Sequence, residues 1–375
     1  MESFAFEESW ELIRKCLPSD LDEVARQSGS LKRVRRVGGG EVLLRLLLMH
    51  GSGLSLEQTA IRAQEQALGR ISAVGLFKRL RTSEAFVRAL CEHLLEAMRE
   101  RIGNSSWPDG YRYRIVDATE VTEPGATGSS WRLHYSLRLP ELSCDQFKLT
   151  RFTQGESFEH WHFQANEVIL ADRAYSTRAG LVALLGSGAK MVVRLKAAHF
   201  ALHQSVQKPF ELFTELRKLR VEQTRNWNIG LKNGKQFWPL RLCAIKKSEL
   251  ATQRSQRKAQ RRAQQDGVEI RSETLELAGY VLVLTNLEPQ AWPAASILEL
   301  YRCRWQIELA FKRLKSLLQL GHLPKRDIES ARAWMQIKLL IALLTEHFAW
   351  EARFFSPWGY RLEPNQPLDG LAGSG

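Results

Sequence analysis

The first hundred residues place apolar side chains with a helical period. Such positions recur three and four residues apart in residues 42–49, 54–68 and 86–98, and this spacing puts them on one face of an α-helix. The segment "LSLEQTAIRAQEQALGRISAVGLFKRLRTS" predicts two short helices joined by a glycine-containing turn, a layout found in helix-turn-helix motifs and in other small helical domains. We therefore predict an all-α N-terminal domain, residues 1–108, that binds DNA or contacts a second subunit.

From residue 111 the pattern changes to one typical of strands. The runs "YRYRIVDATEV", "WRLHYSLRL" and "FKLTRFT" are rich in β-branched and aromatic residues and are separated by turn residues. The segments "NEVILADRAYS", "RAGLVALLGSG" and "MVVRLK" then predict a strand, a helix and a strand. Three successive strands followed by this unit indicate an α/β sheet with an antiparallel portion and a crossover.

Residues 198–286 form a segment of different character. A β-prone pair flanks the turn at Asn233-Gly234, and "GYVLVLTNL" predicts a last strand. Between them lies a polar helix whose cations recur at i, i+3, i+4, i+7 and i+8 and so share one face. These cations are Arg254, Arg257, Lys258, Arg261 and Arg262. Their face is either a solvated surface or a track along DNA phosphates.

The last third returns to a helical period. Residues 297–320 and 333–350 predict two long helices, and the Pro- and Gly-rich residues 356–375 predict a flexible tail. On a helical wheel the first helix carries a polar stripe about 60° wide, which contains Tyr301, Arg304, Glu308 and Lys315. A neighbouring apolar arc should pack on the protein, and it contains Cys303, Ile307, Ala310, Phe311, Leu314, Leu317 and Leu318. We expect the stripe to face a groove.

Charge and cysteine content narrow the classes of partner. The 54 Lys and Arg residues exceed the 41 Asp and Glu residues, for a net charge of +13, which favours a polyanionic partner. The apolar runs are far shorter than the roughly 20 residues that cross a bilayer, and "MESFAFEESWE" does not resemble a signal peptide. We expect a cytoplasmic protein without a membrane partner. Five scattered cysteines predict neither disulfides nor a zinc site.

Three carboxylates are candidates for metal binding. Asp117 follows "YRIV" and Asp172 follows "VILA", so both should end strands, whereas Glu308 lies on the polar stripe. Each alone could cap a turn or pair with a nearby cation. Together, in a basic chain, oxygen ligands suit a hard cation such as Mg²⁺ or Mn²⁺, and the neighbouring cations would hold a phosphodiester.

The stripe fits the motif Y-(2)-R-(3)-E-(6)-K, and here the chain resembles the insertion-sequence-four family of DDE transposases. "YRIVDATEVTEPGATGSSWRLHYSLRL" and "VILADRAYS" are similar to the regions around that family's two aspartates. "LAGYVLVLTNL" is similar to the strand that closes the family's insertion domain. The three blocks occur in the family's order over roughly residues 110–350.

The resemblance implies a fold. We expect an α/β protein with a ribonuclease H-like catalytic core in two parts, residues 109–197 and 287–355, the second of which includes the C-terminal helix. A β-rich insertion domain, residues 198–286, would interrupt the core and carry the basic helix. The all-α N-terminal domain would precede it.

The resemblance also implies chemistry and partners. Asp117, Asp172 and Glu308 would bind two Mg²⁺ ions, for which Mn²⁺ substitutes, in cut-and-paste transposition of an insertion sequence. This reaction hydrolyses the transposon ends, with or without a hairpin intermediate, and joins the freed 3′-OH to target DNA. The partners would be double-stranded DNA, as terminal inverted repeats and target, and a second subunit in a synaptic homodimer on the bacterial nucleoid.

Further contacts with DNA follow from the same resemblance. Tyr301, Arg304 and Lys315 would bind phosphates beside the cut. Tyr280 would stack on a flipped base, at a position where related enzymes commonly carry Trp. Two alternatives stay open: a catalytically inactive transposase-derived DNA-binding protein, which the intact acids oppose, and a stand-alone metal-dependent nuclease.

Overall fold

The computed structural model of the 375-residue chain describes residues 10–31, 38–102, 110–123, 125, 129–197, 201–321, 323–324 and 327–352. The predicted flexible tail, residues 356–375, lies outside the described residues. No helix within these described ranges is both long and apolar enough to cross a membrane.

One eight-stranded mixed sheet forms the centre of the structure. Its strands are β1 Arg112–Thr122, β2 Ser129–Leu139, β3 Cys144–Arg151, β4 Glu167–Ala171, β5 Lys190–Arg194, β6 Thr224–Asn233, β7 Gln236–Lys246 and β8 Tyr280–Thr285. They are ordered β3-β2-β1-β4-β5-β8-β7-β6. The pairs β1–β2 and β2–β3 are antiparallel, and β1–β4 and β4–β5 are parallel. The prediction of an α/β sheet with an antiparallel portion and a crossover is confirmed.

The strands of residues 198–286 extend this same sheet. Strand β8 pairs antiparallel with β5 through Val192 and Thr285, and β7 pairs with β8 and β6 in turn. The β6–β7 hairpin turns at Gly234, whose φ of 59° is a left-handed conformation that glycine adopts without strain. The predicted insertion therefore continues the sheet, and its boundaries as a domain stay a prediction.

Thirteen helices are described around the sheet. They are α1 residues 10–15, α2 Leu21–Gln27, α3 Gly39–Gly51, α4 Leu56–Glu65, α5 Ala73–Arg81, α6 Glu84–Ile102, α7 Arg178–Gly186, α8 Leu212–Arg217, α9 Glu249–Gln265, α10 Ser272–Leu277, α11 Ala294–Arg302, α12 Trp305–Ser316 and α13 Ile328–Ala352. The two short helices predicted within residues 54–83 are confirmed as α4 and α5.

The sheet carries a hydrophobic core on each face. Alternate residues of β1 point to opposite faces, so Ile115 belongs to one core and Val116 to the other. The first core is covered by the N-terminal helices and by α11–α13, and the second by α7 and α8. Strand β1, through Ile115, and helix α12, through Ile307, both contribute to the first core, so α12 packs on the face of the sheet to which Ile115 points.

The N-terminal helices share their core with the C-terminal helix α13. A Cβ atom on Gly51 of α3 would lie 2.3 Å from Cγ2 of Ile337, so the two helices approach as closely as glycine allows. Arg81 of α5 forms ion pairs with Asp327, at 3.2 Å, and with Glu329. The predicted N-terminal domain is thus joined to α13 by packing and by charge.

Candidate active site

Two of the three predicted acids lie side by side on neighbouring strands. The parallel pairing of β1 with β4 ends at Val116 and Ala171, so Asp117 and Asp172 follow at the same level. The prediction that Asp117 ends its strand is wrong. Strand β1 continues to Thr122 because β2 stays paired with it, with Tyr135 opposite Asp117.

Asp172 lies where β4 does end. Its carboxylate accepts a hydrogen bond of 2.5 Å from the N–H group of Ala174, and so caps the 3-10 helix Arg173–Tyr175. From the sequence, capping a turn is the alternative to metal binding for this aspartate. It occupies Oδ1, so a metal ion could still bind the other oxygen.

The third acid, Glu308, lies in the first turn of α12. The single helix predicted over residues 297–320 is wrong, because the chain breaks between α11 and α12. Through the break the bonds run from i to i−3, from Arg304 N–H to Tyr301 O at 3.1 Å and from Ile307 N–H to Arg304 O at 3.2 Å. Such bonds turn the chain more tightly than an α-helix, which a wheel of 100° per residue does not represent.

Arg304 joins two of the acids at this break. Its Nη1 donates to Oδ2 of Asp117 at 3.3 Å, and its Nη2 donates to Oε1 of Glu308. Its guanidinium carbon lies 6.0 Å from the centre of the Tyr301 ring. One cation thus bridges a carboxylate of the sheet and a carboxylate of the helix.

The other two members of the polar stripe, Tyr301 and Lys315, differ in their exposure to solvent. Tyr301 is only 8% exposed and belongs to the first core, whereas Lys315 is exposed in the last turn of α12. Among the apolar arc, Ile307, Phe311 and Leu314 are buried as predicted. The prediction for Leu317 is wrong: it is 76% exposed because α12 ends at Ser316, and Leu317 is its C-cap.

Burial and like charge raise the proton affinity of Asp117. Its pKa rises from 3.8 to about 7, first because burial disfavours the ionised form and then because Asp172 and Glu156 lie nearby. The N–H group of Ala118 and the guanidinium of Arg304 act in the opposite direction. Near neutral pH, the protonated and ionised forms of Asp117 are therefore both populated.

Glu156 is a fourth carboxylate in this neighbourhood, and the sequence reasoning missed it. It lies in the connection between β3 and β4, and its pKa rises to about 7 through burial and the charge of Asp172. The surrounding segment "FTQGES" has neither periodicity nor a motif. Only the path of the connection past the end of β4 brings Glu156 to the site.

The carboxylates fit a divalent cation in kind. Oxygen donors are the ligands that Mg²⁺ and Mn²⁺ prefer, and a cation would offset the charge that raises the pKa of Asp117. Within the described residues, no three His, Cys, Asp or Glu side chains form a group that could hold one ion. In this conformation Asp117 and Glu308 instead share the guanidinium of Arg304.

The remaining predicted DNA contacts differ in exposure. Tyr280 is 6% exposed and belongs to the second core. In this conformation its ring packs among core side chains, and its stacking on a flipped base stays a prediction. The five cations of α9 are all exposed on a helix with no buried residue. Hydrogen bonds such as that from Gln256 Nε2 to Leu275 O, 3.1 Å long, attach the helix to the chain beside it.

Comparison with known proteins places this site in a family. Residues 150–344 match the family model described as the transposase DDE domain. The chain is 32% identical over 347 residues to the putative transposase InsL for insertion sequence element IS186A of Escherichia coli (strain K12), covering 91% of this chain and 93% of that protein. It is also 32% identical over 348 residues, with the same coverage, to the transposase for insertion sequence element IS421 of Escherichia coli.

A more distant relative comes from another genus. The chain is 24% identical over 356 residues to the transposase for insertion sequence element IS231B of Bacillus thuringiensis subsp. berliner, covering 84% of this chain and 73% of that protein. The family model covers strands β4–β8 and helices α7–α12, and the relatives from Escherichia coli cover 91% of the chain. The chain belongs to the insertion-sequence-four family of DDE transposases, metal-dependent enzymes that cleave DNA and transfer its strands.

Proposed function

We propose that this chain is a Mg²⁺-dependent transposase that moves its insertion sequence by cut-and-paste. It would hydrolyse the phosphodiester at each transposon end and then direct the freed 3′-OH onto target DNA. The observation that carries the proposal is the bridge of Arg304 between Asp117 and Glu308, beside Asp172 at the end of β4. Two acids distant in sequence, Asp117 and Glu308, thus share one guanidinium, which supports a common site.

We propose Asp117, Asp172 and Glu308 as the metal ligands of a ribonuclease H-like core. The order β3-β2-β1-β4-β5, with its antiparallel and parallel parts, supports this core. Two Mg²⁺ ions, for which Mn²⁺ substitutes, would lower the pKa of the attacking water and stabilise the leaving 3′ oxygen. The carboxylates would contribute charge and orientation, and Asp117 would act in its ionised form.

Arg304 would change partner during the reaction. Its planar guanidinium binds a carboxylate or a phosphate with similar geometry, so a DNA phosphate can replace Glu308 and Asp117 as its acceptor. Lys315 lies seven residues after Glu308, about 10 Å along a helix, and its exposure suits a contact with the DNA backbone. Tyr301 is buried in the core beside Arg304, so it would position Arg304 and not contact DNA directly.

We propose double-stranded DNA as the partner, in the form of terminal inverted repeats and target. The net charge of +13 and the exposed cations of α9 support binding along a phosphate backbone. The enzyme would act as a homodimer that pairs two ends, in the bacterial cytoplasm on the nucleoid. Whether excision passes through a hairpin is read directly from the products of the assay below.

The test is cleavage of a duplex that carries the element's end, with Mg²⁺ or Mn²⁺. The variants Asp117→Ala, Asp172→Ala and Glu308→Gln should each lose activity by about a thousandfold or more, since the carboxylates hold the groups that stabilise charge in the transition state. Glu273→Gln, an exposed acid on α10, is the matched control and should keep wild-type activity. Wild-type activity in any of the three variants would remove that residue from the site.

Denaturing gels of the same reactions distinguish the alternatives. Joined products with target DNA identify a transposase, whereas cleavage without joining identifies a nuclease. Binding without cleavage would identify an inactive derivative. A slowly migrating, self-complementary flank or end would identify a hairpin.

A further inference from the structure

A pocket of about 400 Å³, lined by both polar and apolar side chains, lies outside the active site. It is bounded by the start of α4, by α13 and by the connection between α12 and α13. The residues that matter here are Ser55, Leu56, Glu57, Gln319, Trp334 and Lys338. The catalytic acids do not line this pocket.

Lys338 is an unusual residue for such a pocket. It is only 4% exposed, and its ammonium lies 5.0 Å from the centre of the Trp334 ring. In the part of the chain that the structure describes, this ammonium donates no hydrogen bond and forms no ion pair. Burial lowers its pKa. The Trp334 ring offsets only part of the cost of placing this ammonium in a largely buried side chain without a counter-charge, so the pocket favours an anionic ligand.

The start of α4 adds a second feature of an anion site. Ser55 and Gln58 form a capping box, with Ser55 Oγ accepting from Gln58 N–H at 3.1 Å and Gln58 Oε1 accepting from Ser55 N–H at 2.9 Å. Across the described ranges, the N–H group of Leu56 has no hydrogen-bond acceptor. The N-terminus of a ten-residue helix carries positive potential. Glu57 also lines the pocket, and its carboxylate accepts from Ser55 Oγ at 3.1 Å.

The pocket is connected to the catalytic strand through the chain that follows α12. Thr122 at the end of β1 donates to Gly321 O at 3.2 Å, and Leu323 N–H donates to Thr122 O at 2.9 Å. Gln319, in the same connection, lines the pocket. From Asp117 to Thr122 is five residues of strand, about 17 Å, so the connection that lines the pocket meets β1 at about that distance from the acid.

We propose that this pocket binds a backbone phosphate of the DNA on which the enzyme acts, away from the cut itself. Lys338 supplies the counter-charge and the N–H group of Leu56 donates a hydrogen bond. The inference rests on the proposed function, because it assumes that DNA lies across the acids of β1. It assigns a DNA contact to the junction of the N-terminal helices with α13.

The test uses the full-length protein and a duplex that carries the element's end. Lys338→Met keeps the length of the side chain and removes its charge. Its affinity for the duplex should fall about five- to tenfold, and the slope of log affinity against log salt should decrease in magnitude by about 0.9. The midpoint of thermal unfolding should stay equal or rise, because a buried charge is removed.

A second variant separates the hydrogen bond from the charge. Leu56→Pro removes the N–H group at the first position of α4, where proline is tolerated, and Ser55 already has the extended conformation that precedes proline, with ψ of 167°. Its affinity should fall while the salt slope stays that of wild type. Lys218→Met removes an exposed lysine paired with Glu215 and should change neither quantity.

Several outcomes would overturn the inference. Wild-type affinity and slope in Lys338→Met would do so, as would a loss of affinity accompanied by a lower unfolding midpoint and an unchanged slope, which indicates a structural role. Titration with inorganic phosphate provides a DNA-free readout: it should raise the unfolding midpoint of wild type and leave that of Lys338→Met unchanged. If phosphate stabilises wild type but the variant binds DNA normally, the pocket holds a free anion and the assignment to DNA fails.

Failure of the proposed function gives a different result. In that case wild type does not cleave the end-bearing duplex and join it to target DNA. Duplex binding by wild type and Lys338→Met, together with the phosphate titration, still tests the pocket.

Discussion

Arg304 and Asp117 are 187 positions apart in the sequence, and their side chains meet with 3.3 Å between Nη1 and Oδ2. The contact joins the break between α11 and α12 to the centre of β1. The same guanidinium also holds Glu308. A metal ion and Arg304 would therefore compete for the same oxygens, and a phosphate that attracts Arg304 would free them.

Removal of Arg304 should move the pH dependence of cleavage. Its guanidinium lowers the pKa of Asp117, so Arg304→Gln should raise that pKa and shift the rising limb of the pH–rate profile to higher pH. The maximal rate should fall about 10- to 100-fold, the value of one charged hydrogen bond. Arg302→Gln is the matched control, since Arg302 is exposed and pairs with Glu299 at 2.9 Å. A limb that stays in place would show that Arg304 does not act on Asp117.

Neutralisation of Glu156 should have the opposite effect. Its charge raises the pKa of Asp117, so Glu156→Gln should move the rising limb to lower pH, with cleavage retained. The profile of the exposed control Glu159→Gln should match wild type. Loss of all cleavage in Glu156→Gln at every pH would instead make Glu156 a metal ligand.

The stability of the metal-free protein should fall as pH rises through the titration of Asp117. A raised pKa means that the folded protein keeps a proton between pH 3.8 and about 7 that the unfolded chain has released, so stability decreases across that interval. Asp117→Asn lacks this group and should gain stability relative to wild type above pH 7. The gain has an upper bound of about 4 kcal/mol.

Urea unfolding in EDTA at acid and alkaline pH measures this difference. Added Mg²⁺ should stabilise wild type at alkaline pH and have a smaller effect on Asp117→Asn. Equal slopes of stability against pH in the two proteins would contradict the raised pKa.

The packing of α12 against the rest of the protein should depend on the buried face of the helix, which includes Ile307. Ile307 is fully buried, so Ile307→Ala should lower the free energy of unfolding by about 2–4 kcal/mol. Leu317, at 76% exposed, is the matched control, and Leu317→Ala should change it by less than about 0.5 kcal/mol. A large cost at Leu317 would mean that this side chain is covered in solution, as it would be in an interface between subunits.

The cations of α9 should contribute to DNA binding without contributing to stability. Replacing all five, Arg254, Arg257, Lys258, Arg261 and Arg262, by Gln should reduce the salt slope of DNA affinity by about 0.9 for each phosphate that the helix neutralises. The unfolding midpoint should not change, because none of these residues is buried. An unchanged slope would identify this face as a solvated surface.

Secondary structure followed from sequence where local patterns decide it. The strands β1–β8 and the basic helix α9 lie where alternation, β-branched residues and turn signals predict them. The sequence does not predict the break at Arg304, because the apolar spacing continues through it; the i to i−3 hydrogen bonds of the backbone show it. The helical wheel also places Leu317 in the packed arc, because a wheel does not show where a helix ends. In the structure α12 ends at Ser316.

The candidate site was predictable in its motif residues and not in its surroundings. The spacing around Glu308 and the runs before Asp117 and Asp172 are local signals. Glu156 has no such signal, since its position depends on the path of a connection. The burial of Tyr280 is equally non-local, because it arises where β8 packs beneath the elements that cover the second face of the sheet.

The close approach of Gly51 to Ile337 has a consequence for how such elements diversify. Because the N-terminal helices and α13 bury one another, a part exchanged with a different transposase would have to match the partner helix at this close contact. Recombination between elements within this core would therefore be constrained by packing. New preferences for DNA ends should arise by substitution of exposed side chains, one position at a time.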